Sequence, residues 1–93
     1  MTPEGKVKAN VKRQLDKLGA YHFSPQSGIY GRSGIPDIIG CYKGKFFAIE
    51  CKAGGNEPTE LQLKELQKIH DAGGIAMVIS EANVEYEIER KLV

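Results

Sequence analysis

The chain has 93 residues, 41% of them hydrophobic, enough for one small core and too few for two. Thirteen basic side chains stand against 12 acidic ones, so the net charge of +1 does not mark a nucleic-acid binder by itself. Two cysteines make no disulfide framework, and no apolar run reaches the roughly 18 residues of a membrane-spanning helix. A single domain over 1–93 is expected. The polar, lysine-rich start carries no secretory pattern, so an intracellular protein is expected, in the host cytoplasm if phage-encoded.

The charge is unevenly placed. Lys6, Lys8, Lys12, Arg13, Lys17 and Arg32 load the first third, and Glu81, Glu85, Glu87 and Glu89 load the tail. Such a split can give one basic face on a nearly neutral protein, or only solvated helix surfaces.

In chain order, Thr2 to Leu18 reads as a helix. Thr2 suits the cap, Pro3 the first helical position and Glu4 the first turn. Val7, Val11, Leu15 and Leu18 form one apolar stripe, and Gly19 ends it. Tyr21 to Ser24 is a short strand. Ser24 to Gly34, rich in Ser, Gly and Pro, is a loop. Asp37 to Tyr42 and Lys45 to Lys52 are strands joined by a Lys43-Gly44 turn. Thr59 caps a helix over Glu60 to Asp71, with Gln62 placed for a capping box. Leu63, Leu66, Ile69 and His70 mark that helix's inner face. Ile75 to Ile79 reads as a strand buried on both sides, and Ala82 to Leu92 as an amphipathic helix on Val84, Ile88 and Leu92. The order α-β-β-β-α-β-α defines an α/β domain with a mixed sheet.

The hairpin makes a geometric prediction. With Lys43 and Gly44 as the turn, Tyr42 faces Lys45 and Gly40 faces Phe47. Extended outward, the register sets Asp37 opposite Glu50, on the same face, with Lys52 next along it. The run Phe46 to Ile49 before Glu50 calls for burial on both faces. Two opposed carboxylates repel unless something compensates, and a divalent cation with oxygen ligands is the natural compensator. The plainer alternative is a salt bridge from Lys52 to Glu50 or Asp37 on a solvated strand face.

Other groups are weaker candidates. Cys41, Cys51, His22 and His70 match no common zinc spacing, and the register points the cysteines to opposite faces. Both cysteines read as small buried hydrophobes. His70 reads as packing or a helix-dipole partner, and His22 as a strand residue with no supported catalytic role.

Gly34-Ile35-Pro36-Asp37, the hairpin, Glu50-Cys51-Lys52 and then Thr59 with Gln62 together resemble the VRR-Nuc family of the PD-(D/E)xK nuclease superfamily. The similarity runs from Glu4 to about Ile79 and looks like the minimal stand-alone members of phages and bacteria. It implies a restriction-endonuclease-like core, a mixed sheet flanked by helices. It implies Asp37, Glu50 and the Cys51 backbone carbonyl as ligands of Mg²⁺ or Mn²⁺. Lys52 would orient the attacking water or stabilise charge developing on phosphorus. Glu4 matches a helix acid used around the metal and its waters, and Gln62 a second-helix glutamine near the site. Glu4 could instead serve the helix dipole, and Gln62 only the capping box.

The implied activity is endonucleolytic hydrolysis of DNA, structure-selective in the manner of Holliday-junction resolvases and carried out by a homodimer. A non-catalytic DNA-binding module on the same fold is the alternative. Substrate contacts are expected from Lys6, Lys12 and Arg13 on the first helix and from Arg32 and Tyr30 in the Gly-rich loop. Tyr21 reads as ordinary packing.

Overall fold

In a computed structural model, which describes residues 1–25 and 33–93, the chain folds as α1 (Pro3–Leu18), β1 (Tyr21–Phe23), β2 (Ile38–Tyr42), β3 (Lys45–Cys51), α2 (Glu60–Asp71), β4 (Ile75–Ile79) and α3 (Val84–Leu92). Among the described residues the strands form one sheet in the order β1-β2-β3-β4. The first three are antiparallel and β4 runs parallel to β3, so the sheet is mixed, as the sequence pattern requires. No helix of the described residues is long and apolar enough to cross a membrane.

The β2–β3 register is the one counted from the turn, with Tyr42 opposite Lys45, Gly40 opposite Phe47 and Ile38 opposite Ile49. Lys43 and Gly44 both take positive φ, 49° and 82°, the handedness a two-residue hairpin needs to match strand twist. One sheet face carries Ile38, Phe47, Ile49, Cys51, Met77 and Ile79. These pack with Val7, Val11 and Leu15 of α1 and with Val84, Ile88 and Leu92 of α3 in a single core. The spacing-four stripes of both terminal helices are therefore the buried ones. The basic α1 and the acidic α3 lie against each other on this face.

α2 packs on β3 and β4. It does so more narrowly than the sequence suggests. Leu66 is buried and Ile69 half-buried, whereas Leu63 is half exposed and His70 is exposed in the last turn. A helix lying on an edge pair of strands buries a narrow stripe, and residues at its margins stay wet. β4 is likewise not buried on both faces. Met77 and Ile79 are buried and Ile75, Ala76 and Val78 only partly so, because β4 is an edge strand.

Four more expectations are corrected. Phe46 is 46% exposed although the apolar run suggests burial, and Tyr21 is 68% exposed, touching Phe23 edge-on. Cys41 is exposed while Cys51 is buried, so only one of the two cysteines is a core residue. The last helix begins at Val84 rather than Ala82. There the Asn83 side chain accepts from the Ser80 N–H at 2.8 Å and closes a preceding turn instead of capping the helix.

Candidate active site

Asp37, Glu50 and Lys52 meet where β2 begins and β3 ends. The backbone ladder stops at Ile38 and Ile49, one pair before the strand limit expected at Asp37. The reason is local. Asp37 Oδ2 accepts the Cys51 N–H at 2.8 Å, so a carboxylate replaces the next backbone partner. This fixes the Asp37 side chain beside Glu50 and leaves its other oxygen, Oδ1, turned elsewhere.

Glu50 is 1% exposed, the most buried charged residue described. Gln62 Nε2 donates to its Oε1 at 3.2 Å, while its Oε2 is buried and meets no donor; Glu50 and Asp37 lie within hydrogen-bonding reach, but two carboxylates can bond only when one of them is protonated. Burial, then the Asp37 carboxyl beside it, pushes the Glu50 carboxyl up to about 8, with Lys52 pulling the other way. Without a cation, this carboxyl therefore keeps its proton to higher pH than an exposed one does. That is not a solvated strand face, and the simple salt-bridge reading fails in a second respect. Lys52 Nζ approaches Glu4 Oε1, at 3.7 Å, rather than Asp37 or Glu50 in an ion pair. Lys52 follows the end of β3, and its N–H donates to Ile79 O at 2.9 Å, holding the backbone against β4.

Both helices reach the site with their first turns. Glu4 is the second residue of α1. Gln62 is the third residue of α2, and its two expected roles coexist. Its Oε1 accepts the Thr59 N–H at 2.9 Å, its N–H donates to Thr59 Oγ1 at 3.2 Å, and its amide nitrogen is left for Glu50. Gly34, in the loop before Asp37, sits against the Leu61 backbone of the same helix turn. The strand and helix halves of the site are thereby locked together.

Lys8 belongs to this cluster although the motif reading leaves it among the general basic charge. Its Nζ lies 3.7 Å from Asp37 Oδ1. The available signal is helical spacing: Lys8 stands four residues after Glu4, on the same side of α1. Of the expected DNA contacts, Lys6 and Arg13 are exposed on α1 and Lys12 is half-buried, none of them with an ion pair bridging to Asp37 or Glu50. Tyr30 and Arg32 lie outside the described residues. His22 pairs with Asp16 at 2.7 Å, joining β1 to α1.

The donor set suits a hard cation. Two carboxylates stand together, one with a buried, unpartnered oxygen, and an oxygen-only pair of this kind matches ions that keep several waters. Among the described residues no group of three or more His, Cys, Asp or Glu could hold a metal, so the protein offers few side-chain ligands. Cys51, buried and with its thiol pushed up to about 12 chiefly by that burial, is no thiolate ligand.

A mixed four-stranded sheet with helices on both sides, carrying acids at the start of β2 and the end of β3, is a restriction-endonuclease-like core. Comparison with known proteins agrees. No family model matches the chain. The phage protein named "Putative nuclease p44", from Acyrthosiphon pisum secondary endosymbiont phage 1, is 32% identical over 85 residues, which is 87% of this chain and 86% of that one. A solved structure described as "VRR_NUC domain" superposes with a TM-score of 0.80 at 26% identity, covering 96% of this chain and 97% of its own. Another, a "VRR_NUC domain protein", gives 0.70 at 17% identity over 100% and 89%, a likeness of fold. The chain belongs to the VRR-Nuc family of nucleases.

Proposed function

We propose that this chain is a metal-dependent endonuclease that hydrolyses phosphodiester bonds in DNA. The observation that carries the reading is the buried Glu50 carboxyl, with an unpartnered oxygen, set beside Asp37 and within the field of Lys52. A cation replacing the Glu50 proton would satisfy the buried oxygen and let both acids stand ionised side by side.

Asp37, Glu50 and the Cys51 carbonyl would hold Mg²⁺ or Mn²⁺, with Glu4 acting through water. Bound there, the ion would supply Lewis-acid charge at the phosphate and lower the pKa of a bound water so that hydroxide is available near neutral pH. The Cys51 N–H keeps Asp37 in place, and Gln62 does the same for Glu50. Lys52, only 15% exposed, places an ammonium where it orients the nucleophile or meets charge developing on phosphorus. Lys6, Lys12 and Arg13, with Arg32 and Tyr30, would hold the DNA. As a homodimer with two such sites, the protein would make paired cuts in branched DNA, as a Holliday-junction resolvase does. Its work would lie inside the cell.

The test is cleavage of single-stranded, duplex, flap and four-way-junction DNA with Mg²⁺, Mn²⁺ or chelator. Asp37→Asn, Glu50→Gln and Lys52→Ala should each abolish cutting and keep the fold. Cleavage that survives chelation would overturn the metal reading, and DNA binding without cleavage would leave a binding module. Equal cutting of all four substrates would remove the branched-DNA preference. Light scattering that gives the mass of one chain at assay concentration would remove the dimer.

A further inference from the structure

α1 is joined to the catalytic strands by two ion pairs of opposite polarity. Glu4 of the helix meets Lys52 after β3, and one turn later Lys8 of the helix meets Asp37 before β2, both at 3.7 Å. The Lys8 contact has a particular position. Asp37 Oδ2 already accepts the Cys51 N–H, so Oδ1 is the oxygen with the greater capacity left for a cation, and Lys8 stands at that oxygen. At 3.7 Å the pair is beyond hydrogen-bond length, and both side chains are partly exposed, 35% and 22%. Such a contact is weak and easily exchanged.

A divalent cation and an ammonium cannot share one carboxylate oxygen without strong repulsion. Lys8, on a flexible four-carbon stem and reaching solvent, is the partner able to move. The anions that would enter this site are the oxygens of a DNA phosphate. We propose that Lys8 is a second phosphate-contacting lysine of the site. It rests on Asp37 Oδ1 in the metal-free protein, yields that oxygen to the metal, and then takes a non-bridging oxygen of the substrate backbone. Lys52 and Lys8 would thus hold the phosphate from two sides, one on a strand end and one on a helix. This inference rests on the metal-dependent nuclease reading above.

Lys8→Met and Lys8→Arg test it, each checked for fold by thermal melting. Calorimetric titration with Mn²⁺ alone should show two- to five-fold tighter binding by Lys8→Met, the size expected on removing a weak competing ion pair. Lys8→Arg should bind Mn²⁺ like the wild type. DNA binding is then measured with Ca²⁺ in place of Mg²⁺, using whichever of the four DNA substrates the wild type cleaves best. The slope of log affinity against log salt should fall by about 0.9 for Lys8→Met, one phosphate contact, and be kept by Lys8→Arg. With Mg²⁺, KM for cleavage should rise for Lys8→Met and not for Lys8→Arg. If Lys8 only ties α1 to β2, Lys8→Met melts lower with unchanged Mn²⁺ affinity and salt slope, and the proposal is wrong. A wild type that neither binds Mn²⁺ nor cuts DNA would instead overturn the parent reading, and this one with it.

Discussion

Gln62 Nε2 donates to Glu50 Oε1 at 3.2 Å, linking the first turn of α2 to the end of β3. The same side chain closes the capping box with Thr59, so stability and site geometry depend on one amide. The two roles can be separated. In Gln62→Glu the carboxylate can still accept from Thr59 N, and a capping box tolerates either residue. It also brings a third acid against Glu50 and removes the donor. The expected outcome is a melting temperature close to wild type with cleavage reduced at least ten-fold. Gln62→Ala, by contrast, keeps the backbone bond to Thr59 Oγ1 but loses the acceptor for Thr59 N together with the Glu50 contact, and should cost about 1 kcal/mol of stability as well. Thermal melts beside cleavage rates distinguish the two.

Much of this arrangement is legible in the sequence because it follows from local rules. A two-residue turn at Lys43-Gly44 fixes the register out to Ile38 and Ile49, and the bond from the Cys51 N–H to Asp37 Oδ2 carries Asp37 the last step to Glu50. Thr59 with Gln62 fixes where α2 starts, and the spacing of Val7, Val11 and Leu15 fixes which side of α1 is buried. Lys8 on Asp37 and Glu4 on Lys52 are not legible in this way. They depend on how α1 docks against the sheet, and helical spacing says only that Glu4 and Lys8 share one side of α1. The exposure of Leu63, Phe46 and Tyr21 has a related cause. An apolar pattern says a residue prefers burial, whereas the width of the packed helix decides whether it is covered.

The two cysteines should differ in reactivity. Cys51 is buried and its thiol is pushed up to about 12, so it stays protonated and shielded, whereas Cys41 lies exposed on β2. A disulfide reagent at pH 8 should modify one thiol per native chain quickly, and the second only on unfolding. Cys41→Ser should abolish the fast phase. Fast modification of both thiols in the folded protein would contradict the packing of β3.

Gly34 and Gly44 both take positive φ, 78° and 82°, yet their surroundings differ. A Cβ on Gly44 would meet open space, and one on Gly34 would come within 2.5 Å of Leu61 O. Gly44→Ala should therefore cost about 1 kcal/mol, the strain of a left-handed alanine. Gly34→Ala carries that strain and must also push the loop off α2, so a loss of roughly 2–3 kcal/mol or more is expected. It should also lower cleavage, since the displaced turn carries Gln62. Denaturant melts of the two variants, with cleavage assayed well below their transitions, check both parts.

The stability of the metal-free protein should fall as pH rises. In the unfolded chain the Glu50 carboxyl ionises at 4.5, and in the folded one at about 8. Between these values the folded state holds one proton more. The sign follows: the contribution is fully present below 4.5 and is lost as pH climbs through 8, at up to about 1.4 kcal/mol per pH unit. Chelator-treated protein should thus melt progressively lower from pH 5.5 to 8.5, and Glu50→Gln should flatten that decline because its amide does not ionise. Added Mn²⁺ should reverse the trend, because a cation that displaces the proton binds more tightly as pH rises. A wild-type melting temperature that stays level across the range without metal would show that Glu50 is already ionised in the folded chain.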